Sequence, residues 1–244
     1  GIQTHDLCGG VYLPGDRQTN PVDTTLALAK GARSNGAQIF EDTKVARLAI
    51  ENAQAVGVYL DDGTLINAKQ VVLAGGMWSR EFDAQHDIHL PLHAVEHFYL
   101  VTEPMESFTT MRPTPRVPDE HTYFKYDKGK LLLGCFELEA KPWGIQGIPE
   151  DFCFDALQDD FGHFEPILET AIRRFPELGD AGINLFFNGP ESFTADDRYL
   201  LGPTPELDNL FVACGFNSIG IQSAGGAGKV LAQWMLQGSP PMDL

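Results

Sequence analysis

One segment constrains this chain more than any other. An apolar run over residues 210–214 opens into Gly215-Phe216-Asn217-Ser218-Ile219-Gly220, and a small-residue-rich helix pattern then covers 222–236 until Gly238 stops it. Glycines in such a turn let another backbone or a flat ring come close, and the helix start offers unpaired N–H groups to an electron-rich atom. Tight packing of helix on sheet explains the same pattern, and the residues alone leave both readings open. A second run, Val71-Val72-Leu73-Ala74, ends in Gly75-Gly76 and Trp78. Upstream, a helix is predicted over 21–35. Asn20 caps it, Pro21 suits its first position, Asp23 favours its positive end, Val22, Leu26 and Ala29 form its apolar stripe, and Gly36 stops it. Short strands are predicted at 10–13, 37–40, 45–50, 55–60 and 64–67. Helix, small meander and buried strands running into glycines read as part of a dinucleotide-binding α/β unit.

The texture changes from about residue 82 to 187. Strand patterns occupy 95–102, 121–126 and 131–136, the last two joined by Asp127-Lys128-Gly129. A loop carrying Pro104, Pro113, Pro115 and Pro118 lies between the first and second, and a helix is predicted over 164–174. The expected fold class is α/β plus α+β. A partial dinucleotide-fold domain covers 15–81 and 188–244, and an inserted domain over 82–187, with a strand from 1–14, is built on an antiparallel or mixed sheet.

Charge narrows the partners. A net charge of −17 over 244 residues argues against nucleic acid and anionic membrane surfaces, since phosphate would be repelled. No apolar run approaches a membrane span. The four cysteines, Cys8, Cys135, Cys153 and Cys214, are scattered, which points to reduced thiols in a reducing compartment: the cytoplasm, or the mitochondrial matrix in a eukaryote. Gly225-Gly226-Ala227-Gly228-Lys229 is not a P-loop, because Val230 stands where Ser or Thr should bind magnesium. His86, His89, His93 and His97 suggest a metal cluster, but Pro91 interrupts any shared helix, so no metal site is expected. His97 and Tyr99, two apart on a predicted strand, share one face. Asp159-Asp160 and Asp196-Asp197 are adjacent pairs rather than converging catalytic carboxylates.

In order along the chain, Gly10-Val-Tyr-Leu-Pro-Gly-Asp16, Ala74-Gly-Gly-Met-Trp-Ser79, His97-Phe-Tyr-Leu-Val-Thr102, Asn188-Gly-Pro-Glu-Ser-Phe-Thr194 and Gly215-Phe-Asn-Ser-Ile-Gly220 form a specific set. Together they resemble the dimethylglycine/sarcosine dehydrogenase branch of the D-amino-acid-oxidase-like flavoproteins. The resemblance implies FAD, with Val45 meeting the adenine side through its backbone and Ala74, Gly75 and Trp78 lining the cofactor. Gly215 and Ser218, Ile219, Gly220 and Ile221 would wrap the flavin ring. It also implies oxidation of an N-methyl amino acid to an iminium, with Tyr99 and His97 on the substrate side and an electron acceptor that the residues do not specify. The iminium would hydrolyse to formaldehyde or pass to tetrahydrofolate on a downstream domain, whose lead-in Gly238-Ser-Pro-Pro-Met-Asp-Leu244 resembles.

Three departures accompany the resemblance. The family's G-x-G-x-x-G pyrophosphate turn is not among these residues, so the chain is expected to be an excised middle that holds FAD weakly alone. Ala195 replaces a usual proline, and Gln222 stands where monomeric sarcosine oxidases carry a lysine for the substrate carboxylate. Pro91-Leu-His-Ala-Val-Glu-His-Phe-Tyr-Leu100, with Gly15-Asp-Arg17, also resembles the regulatory subunit of pyruvate dehydrogenase phosphatase, a non-catalytic alternative.

Overall fold

The computed structural model describes residues 1–107 and 113–243; residues 108–112 of the proline-bearing loop and Leu244 lie outside the described residues. The chain divides into two compact units, Gly1–Gly10 with His93–Phe193 and Val11–Leu92 with Thr194–Leu244.

The first unit is built on a five-stranded sheet. Its strands are β5 (Leu92–Thr102), β6 (Arg116–Val117), β7 (Thr122–Asp127), β8 (Lys130–Cys135) and β9 (Ile183–Thr194), in the order β6-β7-β8-β5-β9. The β7–β8 hairpin turns where Asp127-Lys128-Gly129 places it, with Lys128 and Gly129 both at positive φ. Alternation along β5 sends Phe98, Leu100 and Thr102 into the core and leaves His97 and Tyr99 on the opposite face. Helix α3 (Phe161–Arg174) starts where the Asp160 side chain accepts from the His163 N–H at 3.0 Å. Phe164 and Ala171 of α3 join Phe98, Phe124, Leu133 and Cys135 in one core, all fully buried. At the end of α3 the buried Arg174 guanidinium donates to Asp6, Glu120 and the Gln3 carbonyl, which ties the N-terminal residues down.

β9 runs straight through Asn188-Gly189-Pro190, across the expected domain boundary at 187/188. Pro190 is tolerated because β9 is the outermost strand of the sheet. Asn188 is fully buried, and its amide donates to Glu96 Oε2 at 2.7 Å and to the Gln158 carbonyl at 2.8 Å.

The second unit carries α1 (Pro21–Ser34), the meander β1 (Val45–Glu51), β2 (Gln54–Leu60), β3 (Leu65–Asn67), then β4 (Val71–Leu73), α2 (Ser79–Ala84), β10 (Leu200–Pro203), β11 (Leu210–Cys214) and α4 (Gly220–Gln237). β11 pairs parallel with β4 and antiparallel with β10. Asn20 caps α1 as the sequence indicates, accepting from the Asp23 N–H at 3.1 Å. The apolar stripe of α1 is bare, with Val22 and Leu26 exposed and no residue of the helix buried. Leu48, Ile88, Leu207 and Leu210 form one small core, and Leu92, Val212 and Cys214 another.

Two expected strands do not form. Residues 1–14 hold no strand, including 10–13, where Val11 is 89% exposed. Residues 37–40 form no strand either, with Phe40 exposed. Both had the right residue types. Neither has a described strand beside it, and without a ladder partner those residue types do not make a strand.

Candidate active site

Two adjacent strands of the second unit deliver its glycine turns to one end of their sheet. β4 and β11 run parallel, Leu73 opposite Val212, so Gly75 comes level with Cys214 and Gly215 follows one residue further at the same end of the sheet. That is where an open α/β sheet binds ligands, at the carboxyl ends of its strands.

On the β4 side lies an apolar cleft of about 330 Å³. Val45, Ala74, Gly75 and Trp78 line it together with Leu48 and Phe82. The chain therefore brings four of the proposed cofactor residues to one cavity, from the meander and from the turn after β4.

On the β11 side the turn is locked from within. Gly215 adopts φ +67°, and a Cβ there would lie 2.7 Å from both Leu92 and Thr194, so glycine is required by conformation and by space. Asn217 and Ser218 follow at φ 48° and 65°. The buried Asn217 side chain accepts from the Thr194 N–H at 2.9 Å and donates to Thr194 Oγ1 at 3.0 Å, clasping the turn to the end of β9. Ile219 gives α4 no side-chain cap, so the first N–H groups of that helix stay open to an acceptor.

Gly220 does not share the constraint on Gly215. Its backbone is not left-handed, and a Cβ there would meet only Phe216 Cβ at 3.6 Å, an ordinary contact. Gly225, Gly226 and Gly228 would place a Cβ within 4 Å of nothing. Helix-on-sheet packing, one of the two explanations the sequence allowed, accounts for none of these four. Ile221 and Gln222 are exposed beside them.

The remaining candidates, His97 and Tyr99, lie on the open face of the first unit's sheet. Tyr99 stacks on Phe187 of β9 at 4.9 Å between centroids, and burial raises its pKa. Opposite Tyr99 is Gly134, and the Tyr123 ring of β7 lies across it, occupying the place a Cβ would take. Burial pushes the Tyr123 pKa up to about 12.

His97 sits between two carboxylates. Its Nδ1 is 3.5 Å from Glu137 Oε2 and its Nε2 3.7 Å from Glu191 Oε2. Burial alone would lower the His97 pKa; the two carboxylates outweigh burial and raise it. Burial would raise Glu137, and His97 reverses that and holds it below its ordinary value. Phe136 and Phe193 flank the imidazole at 5.6 and 6.3 Å. Sequence reading missed Glu137, Glu191, Tyr123 and Phe187. For Tyr123, Phe187 and Glu191 the signal was present only as strand alternation in β7 and β9, and Glu137 lies two residues beyond β8; the register between strands decides which of those positions meet.

A separate oddity is Asp83 of α2, fully buried with neither carboxylate oxygen hydrogen-bonded. Burial, then Glu206, pushes its pKa up to about 6. Among the described residues no group of His, Cys, Asp or Glu is arranged to hold a metal ion, and no helix is long and apolar enough to cross a membrane.

Comparison with known proteins gives these geometries a context. The chain is 38% identical over 237 residues to 4-methylaminobutanoate oxidase (formaldehyde-forming) of Paenarthrobacter nicotinovorans, covering 97% of this chain and 28% of that protein. It is 37% identical to the mitochondrial pyruvate dehydrogenase phosphatase regulatory subunit of Mus musculus, over 98% and 27%. It is 34% identical to mitochondrial sarcosine dehydrogenase of Homo sapiens, over 100% and 27%. The chain thus spans little more than a quarter of the length of these three curated relatives. Among solved structures, L-proline dehydrogenase from P. horikoshii shares the fold with a TM-score of 0.76 at 22% identity, over 91% of this chain and 56% of that one. The family pattern described as FAD dependent oxidoreductase (DAO) matches residues 2–234, nearly the whole chain. The chain belongs to the FAD dependent oxidoreductase (DAO) family.

Proposed function

We infer that this chain is part of an FAD-dependent oxidoreductase that oxidises an N-methyl amino acid of the sarcosine or dimethylglycine class to an iminium. The carrying observation is the convergence of Val45, Ala74, Gly75 and Trp78 on one cleft at the end of β4, whose parallel neighbour β11 leads into the glycine-rich start of α4. The fit to a flat, anionic cofactor is physical. Apolar walls accept ring systems, open glycines leave room for close approach, and an uncapped helix start attracts negative charge. When bound, FAD supplies the acceptor for the hydride that leaves the substrate's methyl carbon. On this reading Gly215, Ser218, Ile219, Gly220 and Ile221 shape the ring site, and Gln222 reaches toward the substrate carboxylate. Tyr99 and His97 orient the amine from their sheet, and the tyrosine hydroxyl offers one hydrogen bond. The iminium then hydrolyses to formaldehyde or passes to tetrahydrofolate, in a reducing compartment.

The 37% identity to a phosphatase regulatory subunit favours a second reading, in which the same architecture regulates rather than oxidises. The full-length protein decides between them. Oxidation predicts bound flavin whose visible absorbance bleaches anaerobically on adding sarcosine, dimethylglycine or 4-methylaminobutanoate, and Tyr99→Phe slows that bleaching about tenfold. Bound flavin that none of the three reduces refutes the oxidase reading and leaves the regulatory one.

A further inference from the structure

Two walls of the cleft at the end of β4 come from elements that share no ladder: Leu48 from β1, an edge strand of its sheet, and Phe82 from α2. One side chain joins them. The Leu48 N–H donates to His86 Nε2 at 3.0 Å, and His86 Nδ1 lies 2.9 Å from the Phe82 carbonyl oxygen. A backbone amide nitrogen only donates, so Nε2 is the acceptor; the ring's one proton sits on Nδ1 and is given to Phe82. The imidazole in this bridge is therefore neutral. The Phe82 ring packs on it as well, 5.4 Å between centroids. Leu48 is 2% exposed, so its N–H has little water to turn to if the imidazole lets go, and losing the bond is costly. His86 itself is half-buried, within reach of a proton from solvent.

We propose that His86 is a proton-operated latch on this cleft: neutral, it holds β1 against α2 and keeps the walls in place around a flat apolar ring; protonated, it releases Leu48 and the cleft loosens its hold on that ring. His86 is a positioning residue, since it touches Leu48 and Phe82 rather than the occupant. The step is acid–base chemistry alone. A proton from solvent takes the Nε2 lone pair, the ring becomes a cation, and the Leu48 N–H then faces a second donor instead of an acceptor. The sign follows: the latch is shut at high pH and opens as pH falls. The charged and titratable groups about it are Asp83 of α2, Asp87 next along the chain, Glu206 beside Asp83, and Arg47 of β1, whose guanidinium lies over the Tyr59 ring. Asp83 acts in the opposite direction, because burial favours its protonated form and acid relieves it. Loosening in acid is therefore not the work of Asp83. That the ring is a flavin rests on the cofactor reading above; the latch itself does not.

The test compares the full-length protein with two variants between about pH 8 and pH 5.5, the interval in which imidazoles change charge. His86→Gln keeps an acceptor and a donor on one side chain and takes up no proton; His86→Leu keeps neither. The first readout is hydrogen exchange of the segment Val45–Glu51, expressed as protection over the unstructured rate at each pH, with the β7–β8 hairpin as reference. Wild type should lose protection about tenfold on acidification, His86→Gln should hold it at both pH values, and His86→Leu should be low at both. The second readout is the FAD dissociation constant, which should follow the same pattern, about tenfold weaker for wild type at the lower pH and unchanged for His86→Gln. Wild-type protection that does not change with pH overturns the latch. So does a His86→Gln profile that falls as the wild-type one does, which would place the titrating group elsewhere. Opening of Val45–Glu51 with FAD affinity unmoved overturns the cleft's part in the proposal. A full-length protein that binds no FAD at either pH defeats the cofactor reading instead, and the exchange experiment still decides whether His86 holds β1.

Discussion

The two units put their apolar sequence to different ends. The first closes on itself: Phe98, Phe124, Phe164 and Leu133 are fully buried against α3 and the β7–β8 hairpin. The second spreads its apolar side chains over small cores and open faces, so that α1 buries nothing and β3 is exposed along its length. Periodicity in a sequence therefore establishes that a helix is amphipathic, but not that a partner sits against its apolar side.

The largest expected effect sharpens that contrast. Phe98→Ala should cost about 3–5 kcal/mol in urea denaturation, whereas Leu26→Ala on α1 should stay within about 0.5 kcal/mol. Similar losses at both positions would mean that α1 is packed as tightly as the first unit's core.

Asp83 gives a pH-dependent probe of the second unit. Its folded pKa lies above the unfolded value of 3.8, so the folded state binds the extra proton between about pH 4 and 6. Stability from this group is present below that window and is lost as pH rises through it. Asp83→Asn should therefore raise thermal stability at pH 7 by on the order of 2 kcal/mol and change little below pH 4. Melts at both pH values check it, and an equal gain at each would remove the ionisation argument.

The smallest effect concerns the open glycines. Gly225→Ala places a methyl in empty space on an exposed helix, so it should stabilise the chain by about 0.5–1 kcal/mol. In the full-length protein the same methyl should lower flavin content if the cofactor occupies that face. Stabilisation with flavin fully retained would detach α4 from the cofactor site.

Much of the fold was legible where local chemistry suffices. The Asn20 cap, the Asp127-Lys128-Gly129 hairpin, β4, β11 and α4 all follow from residues within a few positions of one another. Residues 10–13 and 37–40 misled because strand formation needs a partner that side-chain pattern does not supply. No strand was predicted over 183–194, where Gly189 and Pro190 are poor strand formers; a buried amide network and an edge position let β9 form there. The cleft residues and His97–Tyr99 were reachable through resemblance and alternation. Glu137, Glu191 and Tyr123 were not, since they become neighbours only through the register of four strands.

The β4–β11 ladder sets a timetable for folding. Val71 cannot meet Leu210 until the residues through Leu210 have left the ribosome, whereas every residue of the first unit has been made by Phe193. During synthesis the inserted sheet can finish its core while the glycine turn after β4 waits for its parallel neighbour. The first unit's sheet is thus complete before the cleft beside β4, and for that interval the apolar run from Val71 to Leu73 has an open edge that other chains can reach.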